Sequence, residues 1–346
     1  MRVRSPVVAC GFMAVTLFLP GPSADEETAG APFAILDPVV QIDDEAREQL
    51  DRREVLVEGL PGEAEQIGVL AVGAITTDVA TFVERVASPE TLWAHEAVPH
   101  VRKFSVPPRL EDLAELRLGE RDLDAVRNCR PADCDVKLGA AEIDRLREAI
   151  DAAGTSWRDA VQTAFREIVF ERVTAYVEEG PDELSPYHDH EEPVWPAEAF
   201  DRLLLQFPWL LEADPRVAGL FGARPRQAWD ADSFLYWLET TYTPRPLIQV
   251  NHVALTRTPP GTPSPVTVIV ASRQVYASHY LDASVGLSLL MRDPAEPDRQ
   301  YLVYVNRTSV DGLQGWLGWL KRAIVERRVR EQARRLFGLQ RERLER

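Results

Sequence analysis

The chain has 346 residues, of which 27% are charged and 45% hydrophobic, and 55 acidic side chains against 39 basic ones leave a formal net charge of −16. That balance excludes a general nucleic-acid binder, which needs a basic face to displace phosphate counterions. A chain of this length can bury a large core in one elaborated domain or two lobes.

The chain opens on Met1-Arg2-Val3-Arg4, then runs apolar from Val7 to Leu19 before Pro20-Gly21-Pro22-Ser23-Ala24. A charged start, a short apolar stretch and small residues read as a secretory signal over residues 1–24, cut near Ser23 or Ala24, and a membrane span would need about 20 apolar residues. An uncleaved anchor, or a lipoprotein built on Cys10, is the alternative. The expected location is periplasmic or secreted. Residues 25–53, acidic and Gly/Ala-rich at their start, read as a flexible lead-in.

Strands are expected at Val55–Val57 and Ile67–Ile75, parted by the Pro61-Gly62 turn. Thr76 or Thr77 should cap a helix carrying Val79, Phe82, Val83 and Val86. Ser88-Pro89 should open a second short helix with Leu92 and Trp93, and Val98–Val106 returns to strand. From Leu110 to Gly222 the pattern is helical, with short helices over 112–118 and 120–127, then longer ones at 140–153, 155–179 and 197–205. The longest has the stripe Trp157, Val161, Phe165, Ile168 and Tyr176.

Cys129 and Cys134 lie within the helical stretch. An even, closely spaced pair in an oxidising compartment reads as one disulfide, a local staple of about 2 kcal/mol. After residue 232 the pattern turns to strand, at 234–242, 247–258, 266–280, 284–291 and 301–306, spaced as an antiparallel meander. A long helix closes the chain from about Gly312 to Glu345. Its apolar stripe passes through Leu313, Leu317, Leu320 and Ile324, then shifts to Val325, Val329, Ala333, Leu336 and Leu339.

The expected fold class is therefore α+β, an antiparallel sheet with a long C-terminal helix packed on it. The stretch IGVLAVGAITTDVATFVERVASPETLWAHEAVPHVRKFS near the start, and YLVYVNRTSVDGLQGWLGWLKRAIVERRV near the end, resemble the two ends of the START-like, helix-grip ligand-binding superfamily. The resemblance covers residues 54–106 and 234–346 and is one of element order; a helical insertion over 107–233 interrupts it. It implies a pocket between curved sheet and gripping helix for an apolar or lipid-like small molecule.

Polar residues on the expected strand 266–280 are the first candidates for that pocket. Alternation would place Gln274, Tyr276, Ser278, Tyr280 and Asp282 on one face and Arg273 and His279 on the other. Tyr276, Ser278 and Tyr280, with Trp316 at the head of the last helix, are the expected ligand-binding residues. A few placed polar groups in an apolar cleft are the usual way to orient a small molecule, although such a face can equally be solvated sheet.

His188, Asp189, His190, Glu191 and Glu192 could ligate a metal but read better as an acidic turn, so no metal site is assigned. His252, beside Asn251 and the apolar Val250 and Val253, could reach the same site but reads better as a hydrogen-bonded core histidine. Neither G-x-S-x-G nor H-E-x-x-H occurs, and no phosphate loop or cofactor motif is found. A non-catalytic binding protein is the first expectation. An exported hydrolase using His279 with Asp282, or the 188–192 loop, is the second. The third is an envelope protein that touches membrane through its basic C-terminal helix.

Overall fold

The computed structural model describes residues 33–36, 40–63, 65–222, 232–313 and 318–346. The signal, the lipoprotein alternative at Cys10 and Trp316 lie outside them.

Eight strands form one antiparallel sheet. In chain order they are β1 (Leu56–Leu60), β2 (Gln66–Ile75), β3 (His100–Lys103), β4 (Ser233–Thr240), β5 (Leu247–Arg257), β6 (Val266–Ala277), β7 (Leu281–Arg292) and β8 (Gln300–Val310). Their spatial order is β1-β2-β8-β7-β6-β5-β4-β3, so β2 joins the end of the meander. This is an α+β fold with a long C-terminal helix, as the pattern of elements leads one to expect.

The described helices are α1 (Asp44–Asp51), α2 (Val79–Val86), α3 (Pro89–Leu92), α4 (Glu120–Val126), α5 (Ala140–Ala153), α6 (Trp157–Glu178), α7 (Pro196–Leu204), α8 (Pro208–Ala213), α9 (Pro215–Gly222) and α10 (Gly318–Glu345). They divide between the two faces of the sheet. Helices α2 and α10 cover one face, packing Phe82, Val83, Phe337 and Leu344 against Val69, Ala71, Ile75 and Val268. The long helix α6 packs on the other face through Val161, Phe165, Ile168 and Tyr176, against Leu235, Trp237, Val250 and Tyr276. Beside it, Phe200 and Leu203 of α7 meet Ala271, Leu287 and Val303. Both faces of the sheet are thereby covered by helices, which is why its strands carry long hydrophobic runs.

Several local expectations are corrected. The cap of α2 is Asp78, whose carboxylate accepts from the Ala80 and Thr81 amides at 2.9 Å, rather than either threonine. Ser88 precedes α3 but gives its hydroxyl to the Glu84 carbonyl at 3.1 Å. Part of the 25–53 lead-in is folded, since α1 lies in it and Phe33, Leu36 and Leu50 are buried.

Helix α10 buries its apolar side chains most fully toward its C-terminal end. Phe337 and Leu344 are core residues, whereas Leu320 and Ile324 are 42% and 43% exposed. Gly73 lets the helix come close, because a Cβ there would stand 2.5 Å from Cε1 of Phe337. Backbone carbonyls hold the helix end as well: Arg341 donates to that of Arg53 at 2.6 Å and Arg343 to that of Leu92 at 2.7 Å.

Candidate functional site

Alternation along the strands opens a cavity of about 370 Å³ between the sheet and α10, closed at one end by α2 and α3. On β7, Ser284, Gly286 and Ser288 face it, and on β8, Tyr304, Asn306 and Thr308, while the residues between them are buried against the helices of the opposite face. Strand β5 adds Gln249, Asn251 and Val253, and α10 adds Gln332, Leu336 and Gln340. Val253, Ser272, Gly286 and Asn306 stand in one row across four strands, with the glycine leaving the centre of the floor low.

No charged side chain lines this cavity among the described residues, in a chain that is 27% charged. Lys103 comes close, its Nζ 4.5 Å from the Phe234 ring centroid, but it is bonded away to the Ala87 carbonyl at 3.0 Å. Burial pushes the Tyr304 phenol up to about 12 and raises that of Tyr236 also, so both face the cavity as neutral groups. The floor offers hydroxyls and amides to a ligand, and the walls offer Trp93, Phe234, Leu238 and Val270.

Tyr276, Ser278 and Tyr280, expected to bind ligand, lie elsewhere. Strand β6 ends at Ala277, and a bulge opposite Val250/Asn251 puts Tyr276 in register with Val250 and Gln274 with Asn251. One extra residue sends the side chains that follow to the other face. Tyr276 is accordingly in the core under α6, its ring 6.2 Å from that of Phe165. Ser278 is buried, its Oγ accepting the Ile248 amide at 3.0 Å. Tyr280 sits in the β6–β7 turn with φ of 62°. None of these three lines the cavity.

What the β6–β7 turn does carry is a buried lock. Lys137, 1% exposed, brings Nζ to 3.1 Å from Asp189, 2.8 Å from Asp282 and 2.7 Å from Asp311. Burial alone would lower the ammonium's pKa, but the three carboxylates outweigh it and hold the group above the ordinary lysine value. Burial likewise raises Asp282 to about 6, Asp311 adding to the rise and Lys137 opposing it. The cluster ties four chain segments together. Asp189, His190 and Asp311 bring ligand atoms within 4.8 Å of one another and are the described residues that could hold a metal. The Lys137 ammonium already sits on two of those carboxylates.

The hydrolase pairing of His279 with Asp282 does not form. His279, 3% exposed, donates from Nδ1 to the Asp135 carbonyl at 2.7 Å and turns Nε2 toward Asp122 at 3.2 Å, while Asp282 belongs to Lys137. A different histidine has a serine beside it: Nε2 of His252 is 2.6 Å from Ser233 Oγ and its Nδ1 is 2.8 Å from the Tyr176 hydroxyl. Burial and the Arg273 guanidinium push His252 down to about 4, so it is a weak base. The adjoining space, about 10 Å³, holds no more than a water. His252 is a hydrogen-bonded core histidine.

Cys129 and Cys134 are joined, with their sulfurs 2.09 Å apart. No described helix is long and apolar enough to cross a membrane.

No family model matches the chain, and no curated protein matches it. Among solved structures, that of TTHA0849 from Thermus thermophilus is similar at 11% identity, over 34% of this chain and 70% of that one, with a TM-score of 0.26. So loose an overlap carries no argument about fold or ligand.

Proposed function

We infer that this is a non-catalytic binding protein for an apolar or lipid-like small molecule, held in the cavity under α10. The observation that carries this reading is a 370 Å³ space walled by aromatic and aliphatic side chains and free of charge among its described lining residues. Its size falls within the range of small-molecule pockets, about 300–1,000 Å³. The helix-grip resemblance points the same way, since it implies a ligand between sheet and closing helix. An exported, oxidising location agrees with the joined cysteines and with the composition of residues 1–24.

The test uses N-phenyl-1-naphthylamine, an uncharged dye that fluoresces in apolar surroundings, with Gly286→Phe as the blocking variant. A Cβ at Gly286 would meet Ser272 at 3.4 Å, an ordinary contact, so the floor accepts a side chain that fills the cavity. The wild type should bind the dye, and Gly286→Phe should weaken binding by about tenfold or more while keeping a native circular dichroism spectrum. Equal dye binding by both proteins would show that the dye sits elsewhere.

A second reading, contact with a membrane surface, draws on the exposed Leu320 and Ile324 beside Lys321 and Arg327 in the N-terminal part of α10. Co-sedimentation with anionic liposomes should then fall when both apolar residues are changed to Ser.

A further inference from the structure

The cavity floor is polar in two different ways. On the β7–β8 side Ser284, Asn306 and Thr308 satisfy one another: Ser284 and Thr308 hydroxyls are 2.9 Å apart, Thr308 donates to Asn306 Oδ1 at 3.0 Å, and Asn306 Nδ2 donates to the Ser284 hydroxyl at 3.2 Å and to the Val285 carbonyl at 3.1 Å. On the β5–β6 side no such network forms. Gln249, Asn251 and Ser272 line the cavity with no side-chain hydrogen bond among the described residues. Asn251 is only 8% exposed. A primary amide buried to that degree normally finds partners, because leaving its donors and acceptors empty forfeits their hydration without return.

Resting on the binding reading above, we propose that the ligand is an uncharged molecule with a hydrogen-bonding head, such as a hydroxyl, carbonyl or amide, received by Asn251 with Gln249 and Ser272. Its apolar body lies among Trp93, Phe234, Leu238, Val253, Val270 and Leu336. The amide of Asn251 both donates and accepts, so it can satisfy either kind of neutral head. A carboxylate or ammonium would enter a space whose described lining holds no opposite charge, and an unpaired buried ion is strongly disfavoured. The hydrogen-bonding side chains of β5 and β6, with Trp93, Phe234 and Leu238 as the apolar part of the lining, set the orientation.

The experiment is displacement of N-phenyl-1-naphthylamine at pH 8 by decan-1-ol, decanamide and decanoate, which share one chain and differ in the head. The alcohol and the amide should displace the dye at concentrations about tenfold lower than decanoate does. In Asn251→Leu the dye should still bind, while the advantage of decanamide over decanoate should shrink by about tenfold; Ser272→Ala should show a smaller loss and guards against a folding defect in the first variant. Decanoate competing as well as decanamide in the wild type would overturn the proposal and leave the cavity reading standing. So would an undiminished preference in both variants. Failure of the dye and of all three competitors to bind the wild type would remove the cavity reading and this inference together.

Discussion

Two buried titratable residues act on stability in opposite senses. Asp282 is raised from 3.8 to about 6, so the native state holds its proton more tightly than the unfolded chain does; its contribution is present below about 3.8 and lost as the pH rises to about 6. His252 is lowered from 6.5 to about 4, so its contribution is present above about 6.5 and lost as the pH falls toward 4. Between pH 4 and 6 the two slopes oppose each other. Asp282→Asn should therefore make unfolding free energy rise more steeply from pH 4 to 6.5 than in the wild type, as read from urea titrations across that range. Superimposable profiles would mean that Asp282 does not titrate there. Of these two residues, His252 was legible as a core histidine from Val250 and Val253 near it in β5. The Lys137–Asp282 pairing was not, because 145 residues separate its partners.

Among the elements, the strands and most helices could be read from hydrophobic period and punctuation alone. Helix α5 runs from Ala140 to Ala153 as its sequence pattern indicates. The failures are instructive where a neighbour decides. The polar run from Gln274 to Asp282 looks like one face of a strand, but pairing with β5 inserts a bulge and the strand stops at Ala277. The stripe on α10 runs the length of the helix in sequence, yet its fully buried members are Phe337, which Gly73 admits, and Leu344. Gly73→Val should push the helix away and cost about 1–3 kcal/mol, seen as a lower thermal midpoint. Phe337→Leu in the same chain should recover part of that loss, since the two sites share one contact and their effects do not add. Strict additivity would place the strain somewhere other than at this ring.

For the whole molecule, the insertion between β3 and β4 is a second wall of the core. It covers an outer face on which Leu235, Trp237, Ile248 and Val250 are buried, and the Trp237 indole donates to the Asp112 carbonyl at 2.9 Å. Because β3 and β4 are antiparallel neighbours, a short turn could join Lys103 to Ser233 without stretching the sheet. A chain so shortened should nonetheless lose its near-ultraviolet circular dichroism and aggregate or bind hydrophobic dyes, because several hundred Å² of apolar sheet would face water. A soluble shortened chain with native spectra would show that the insertion is an accessory to the fold.

The amino-acid sequence suffices for the α+β class, the disulfide pair and the long closing helix, since each follows from spacing between residues close in the chain. It also contained the polar alternation of Gln249 and Asn251, Ser284 and Ser288, and Asn306 and Thr308, though period two alone cannot say whether a polar face meets water or a cavity. That this face lies under α10, that Tyr276 lies behind it, and that Asp189 of the 188–192 loop pairs with Lys137 follow from the packing of distant segments. Each of these depends on register, on a bulge, or on which helix covers which side of the sheet, and those are set by contacts between segments far apart in sequence.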